Sequence, residues 1–341
     1  MSQFPPPPLP QPAPFAPPSR ASVLSTLPLE PVAYHQMLRT PRARWWKALL
    51  AIVLFVIGYL ILSAILQLGA VGIDVATGRV ESSALLEGKL TLTPTLLLSV
   101  NLTNACAIPL SMLLQRLFWG QRGRWLHSVT GVIRWRLMAR SLVIVLPVWV
   151  LYVVIGALTA SPQTPGAGLT TESIVLLVIV VLTTPLQAAG EEYGARGLLN
   201  RAAGSWVANP RTALILGTLL SSALFMVAHG AGDPWLIVFY FLFGVGLSLV
   251  TWRTGGLEVA VVIHTVNNVV LFGVSILSGQ DLSAALDRSN GTGGPEVLIP
   301  MAMLVVMVAG VWWLARRTGV VQTFRPEAAP MTSPAPPIAL G

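Results

Sequence analysis

Three short stretches carry the side chains best suited to chemistry in an otherwise apolar chain. The first, GEEYGAR, brings together Glu191, Glu192 and Arg196; the second, FMVAH, runs from Phe225 to His229; the third, HTVNN, holds His264 and Asn268. A charged side chain at the middle of a membrane helix costs about 2.5 to 3.5 kcal/mol on insertion scales, so each such group calls for a partner or a function. On a helix Glu192 and Arg196 stand at i and i+4, share a face and can pair. Glu191 is turned away from them by about 100°, which leaves its carboxylate to face a cavity. His229 follows Phe225 by one turn and stands just before a Gly-rich break. His264 precedes Asn268 by one turn on one face, with Asn267 directed elsewhere.

Peptide hydrolysis needs a base to activate water, donors for the oxyanion and an acid for the leaving amine. This set can supply all of them. Glu191 can take the proton of a water oriented by His229, and His264 with Asn268 can donate to the developing oxyanion. Serine chemistry fits less well, because no GxSxG elbow occurs.

These residues need a membrane scaffold. The chain has 341 residues, 54% hydrophobic and only 10% charged, against about a quarter charged in soluble domains. Apolar stretches near the roughly 20 residues that span a bilayer, without strand-like alternation, predict an all-α, polytopic transmembrane helical bundle and not a barrel. About eight spans are expected: Trp45 to Leu68, Leu92 to Leu114, Leu137 to Ala160, Ser173 to Ala189, Ala213 to Ala228, Trp235 to Trp252, Leu257 to Ser278 and Val297 to Ala315. Every second connection is basic, including those around Arg44, Arg122, Arg196, Arg201, Arg211 and Arg316, while the others hold Asp74, Glu81, Glu87, Glu172, Asp233, Asp281 and Asp287. Both termini are therefore expected in the cytoplasm.

Three regions follow: a Pro-rich disordered tail over residues 1–43, a helical domain over 44–318 with a catalytic core at 173–279, and a disordered tail over 319–341. The formal net charge of +8 is spread between apolar stretches, so nucleic acid is not an expected partner. One cysteine, Cys106, excludes an intramolecular disulfide and reads as a small core residue. No internal repeat points to a transporter of two related halves.

EExxxR, FxxxH and HxxxN, each on its own helix and in this order, resemble the motif set of the CPBP family of intramembrane proteases, also called ABI or type II CAAX prenyl proteases. The resemblance covers Ser173 to Gly279 and includes FGVGLSLVTWRTGGLEVAVVIH, which leads into the third motif. It implies a peptidase in which Glu191 is the catalytic base, His229 helps activate water, His264 and Asn268 stabilise the oxyanion, and Glu192, Arg196 and Phe225 support the site. Two positions depart from the family pattern, Ala195 and Glu258, and are expected to alter pocket shape more than chemistry. The family is often labelled metalloprotease, and a metal, if present, would sit on Glu191, His229 and His264. Without HExxH, and with Asn a poor zinc ligand, metal-free water activation with no cofactor is expected. The expected partners are the lipid bilayer and a membrane protein or peptide substrate, with lipid-modified (CAAX-type) chains among the candidates; a bacterial inner membrane is the expected location. The alternative is a non-catalytic scaffold or bacteriocin-immunity-type protein.

Overall fold

A computed structural model of the chain describes residues 25–83, 92–159, 169–279, 282–283 and 293–326. Most of the two expected tails, 1–24 and 327–341, lies outside these residues, as do Ala160, Glu87, Asp281 and Asp287. Among the described residues eight helices are long and apolar enough to cross a membrane, as hydropathy predicts. We label them α1 (Trp45–Ala76), α2 (Pro94–Trp119), α3 (Trp135–Thr159), α4 (Thr171–Gly204), α5 (Pro210–Ala228), α6 (Pro234–Thr254), α7 (Glu258–Leu277) and α8 (Leu298–Thr318).

Local chemistry sets the starts and stops. α2, α5 and α6 begin with an N-cap followed by proline: the side chains of Thr93, Asn209 and Asp233 accept backbone N–H bonds from the first turn, and Pro94, Pro210 and Pro234 occupy positions where a missing N–H costs nothing. Gly120 and Gly255 end α2 and α6 in the left-handed conformation, with φ of 72° and 68°.

The helices pack as a chain of neighbours. α1 lies on α2, α2 on α4, and α4 on α7; α7 also meets α3 and α6, α8 bridges α3 and α6, and α5 packs on α6. α7 is the most enclosed span, with half of its central window buried, and it carries His264 and Asn268. The α2–α4 crossing is close enough that a Cβ at Gly190 would overlap the backbone carbonyl of Asn104. A side chain there would push α4 away from α2.

The fourth span is longer than hydropathy suggests. It does not stop at Ala189 but runs 34 residues to Gly204, unbroken at Pro185, with a π-helical segment over Tyr193–Leu199. Arg196 and Arg201 are fully buried, so they are not loop charges. Arg201 donates to the side-chain carbonyls of Gln115 (2.7 Å) and Gln121 (3.2 Å) and lies over the Tyr34 ring. The extension also brings Glu191 and His229 to similar depths. At about 1.5 Å per residue, Glu191 lies about 20 Å from the Gly204 end and His229 about 27 Å from Arg211, less than two helical turns apart.

Residues 25–43 and 319–326 correct the expected tails. Tyr34, Met37, Leu38 and Phe324 are buried, and a short antiparallel ladder pairs β1 (Val32–Ala33) with β2 (Thr323–Phe324). Both ends of the described chain thus meet at one end of the bundle. Below α7 a second clamp forms: Arg134 grips Glu258 with two bonds of 2.8 Å and donates to the carbonyls of Thr254 and Val321. Glu258 therefore anchors the start of α7. Cys106 is half-buried.

Gly190→Val is expected to lower unfolding stability by about 1 to 3 kcal/mol through overpacking, whereas Gly69→Ala, where a Cβ meets nothing within 4 Å, should be neutral; thermal unfolding in detergent compares them. Burial lowers the pKa of His35, against a smaller opposing effect from its hydrogen bond to the Pro210 carbonyl. The unfolded chain then binds the extra proton first, so stability should fall as pH drops below about 6.5. His35→Gln should flatten that slope in melting curves taken from pH 7.5 to 5.

Candidate active site

The site is built from the middle of α4 upward. Glu192 and Arg196 are fully buried and pair at 3.0 Å as the i, i+4 spacing predicts. Arg196 also lies over the Phe225 ring, with its guanidinium carbon 4.5 Å from the centroid, which gives Phe225 its supporting role in this structure.

His264, almost completely buried, comes from α7 and lies between both carboxylates. Its Nδ1 donates to Glu192 Oε1 at 2.7 Å, because a carboxylate oxygen already holding Arg196 can only accept. Its Nε2 faces Glu191 Oε2 at 3.5 Å. The bond between His264 and Glu192 is one that local spacing did not signal. Phe225 and Phe243 meet the imidazole edge-on, with centroids at 5.9 and 5.3 Å, and hold the ring's plane.

His229 caps the end of α5. Its Nδ1 donates to the Phe225 carbonyl at 2.7 Å, so Nε2 is the nitrogen that can take part in chemistry. Tyr240 of α6 stacks on the ring at 4.1 Å and Phe225 covers it at 4.4 Å. Tyr240 had no local signal, since it stands outside the three motifs and reads as an ordinary aromatic in an apolar span.

Asn268 is tied to α4 through Gln187. Its Nδ2 donates to Gln187 Oε1 at 3.0 Å, and Gln187 Nε2 donates to Glu191 Oε1. Asn267 is not directed elsewhere: it donates to Asn268 Oδ1 at 2.8 Å.

All four proposed catalytic side chains, Glu191, His229, His264 and Asn268, line one cavity of about 690 Å³, with Gln187, Asn267 and Tyr240 also in its wall. Most of the remaining lining is apolar, including Phe55, Leu60, Leu97 and Leu271. Ala195 belongs to this wall, so the small residue leaves room there; Glu258 does not.

Among the described residues no three His, Cys, Asp or Glu side chains form a group that could hold a metal ion. Glu191, His229 and His264 share the cavity but do not come together as such a group.

Comparison with known proteins agrees with this segment of the fold. Residues 171–270 match the family described as Rce1-like, Type II CAAX prenyl endopeptidase. An uncharacterized protein of Bacillus subtilis strain 168, YyaK, is 32% identical over 102 residues, which cover 28% of this chain and 33% of the relative. The chain thus spans about a third of the length of that relative. No solved structure matches. The Rce1-like match falls on the residues that hold Glu191, His229, His264 and Asn268, and is consistent with the resemblance to the CPBP family of intramembrane proteases.

Proposed function

We propose that this integral membrane protein is an intramembrane endopeptidase that hydrolyses a peptide bond in a membrane-associated protein or peptide, with lipid-modified (CAAX-type) chains among the candidate substrates. The observation that carries the reading is the shared cavity: a carboxylate, two imidazoles and an amide from three separate spans line one space of the size of a ligand pocket. The family match over the same residues supports a peptidase.

In the proposed reaction Glu191 takes a proton from water, which His229 orients through Nε2, and the water oxygen attacks the carbonyl carbon. The carbonyl oxygen becomes an oxyanion that accepts from His264 Nε2 and from the Asn268 amide. Donation from both His264 nitrogens requires its imidazolium form, with one carboxylate on each side. The intermediate collapses as the C–N bond breaks, and the proton held by Glu191 passes to the leaving amine. Glu192 and Arg196 fix His264 and touch no reacting atom.

The end of the bundle where β1 and β2 meet is proposed as the cytoplasmic face, because Arg42, Arg44, Arg122, Arg124, Arg211, Arg316 and Arg317 flank the connections there. A bacterial cytoplasmic membrane is the proposed location.

The test uses the full chain in lipid vesicles with an internally quenched peptide ending in a farnesylated CAAX tail, alongside the same peptide without the lipid. Glu191→Gln should lower kcat by about 10²- to 10⁴-fold and Asn268→Ala by about 10²- to 10³-fold, with melting unchanged. A Glu191→Gln protein as active as the wild type would sink the hydrolytic reading and leave the scaffold or immunity-type one. Arg196→Ala, in contrast, leaves the Glu192 carboxylate buried without its cation and should cost about 3 to 5 kcal/mol of stability, seen as a lower melting temperature before any assay.

A further inference from the structure

Gln187 lies outside all three motifs, yet its side-chain amide is the link between two of them. It is buried at 6% exposure on α4, one turn before Glu191, and lines the cavity. Its Nε2 donates to Glu191 Oε1, and its Oε1 accepts from Asn268 Nδ2 at 3.0 Å.

The chemistry of the acceptor fixes the direction of the whole chain. An ionised carboxylate only accepts, so the group facing Glu191 must be the Gln187 NH₂. The Gln187 carbonyl oxygen is then turned toward α7, which makes Asn268 the donor there. Asn268 Oδ1 is left as an acceptor, and Asn267 Nδ2 fills it at 2.8 Å. Three amides thus run in one sense, Asn267 to Asn268 to Gln187 to Glu191. Each is held in one flip state by the next.

We infer that Gln187 is a positioning residue for the reaction: it orients the general base and the oxyanion donor against each other across the α4–α7 crossing. Its bond to Oε1 leaves Oε2, the oxygen facing His264, as the basic oxygen of Glu191. Its bond from Asn268 uses one N–H of that amide and aims the second. This inference rests on the proposed hydrolysis, and it gives Gln187 no contact with the reacting atoms.

The experiment compares wild type with Gln187→Met, which keeps length but removes both the donor and the acceptor, on the same quenched farnesylated peptide. Losing a hydrogen bond to a charged group should lower kcat by about 10- to 100-fold, with KM within about twofold and melting unchanged. In an Asn268→Ala background the same change should still lower kcat, but by a smaller factor than in the wild type, because the bond to Asn268 is already gone and only the one to Glu191 remains to be lost. Isotope-edited infrared spectroscopy gives a readout that needs no turnover: the carboxylate stretch assigned to Glu191, identified by its loss in Glu191→Gln, should shift in Gln187→Met. Where the methionine variant fails to fold, Gln187→Asn, whose amide is too short to reach both partners, takes its place in both arms. Wild-type kcat together with an unmoved carboxylate band overturns the inference. A wild-type protein that cleaves neither peptide sinks the proposed function instead, while a band shift would still show the bridge to be made.

Discussion

A carboxylate sunk into an apolar bundle persists only where other groups neutralise it. Around Glu192 that requirement organises three helices. Arg196, one turn along α4, supplies the charge, the Phe225 ring of α5 covers the guanidinium, and His264 of α7 brings a second donor to the same oxygen. Removing any one of these leaves the other buried polar groups without compensation. The pair Glu192–Arg196 is therefore less a source of stability than a device that permits one arrangement of α4, α5 and α7.

The geometry of the candidate site follows from that arrangement. With Nδ1 of His264 held by Glu192, the other ring nitrogen is directed at Glu191. The register of α7 is set from two directions, by the Arg134–Glu258 clamp at its start and by the Asn268–Gln187 bond halfway along. α4 in turn can reach α2 closely only because Gly190 has no side chain. Packing at one glycine, an ion pair at the bundle's end and a buried imidazole thus act together on the position of a single carboxylate, Glu191.

Hydropathy made the eight spans legible, and fixed local spacing made the three motifs legible, since i, i+4 pairs announce themselves within one helix. What escaped needed information between helices or ran against composition. Arg201 reads as a loop charge, and only its burial against Gln115 and Gln121 reveals that α4 continues to Gly204. The packing of residues 25–43 has no apolar run to mark it; Tyr34 and Met37 find their partners far along the chain. Tyr240 could not be told from its aromatic neighbours. Gln187 could have been found, because it stands at i−4 from Glu191, but its bond to Asn268 depends on a crossing that sequence does not specify.

In the proposed hydrolysis Glu191 and His264 act as one unit on one peptide bond. A double-mutant cycle on kcat/KM with the quenched peptide measures whether they do. If the two side chains share one transition state, Glu191→Gln combined with His264→Ala should be no worse than the more damaging single change, within about threefold. Effects that multiply in the double variant would mean that the two residues work independently, and would contradict the shared site.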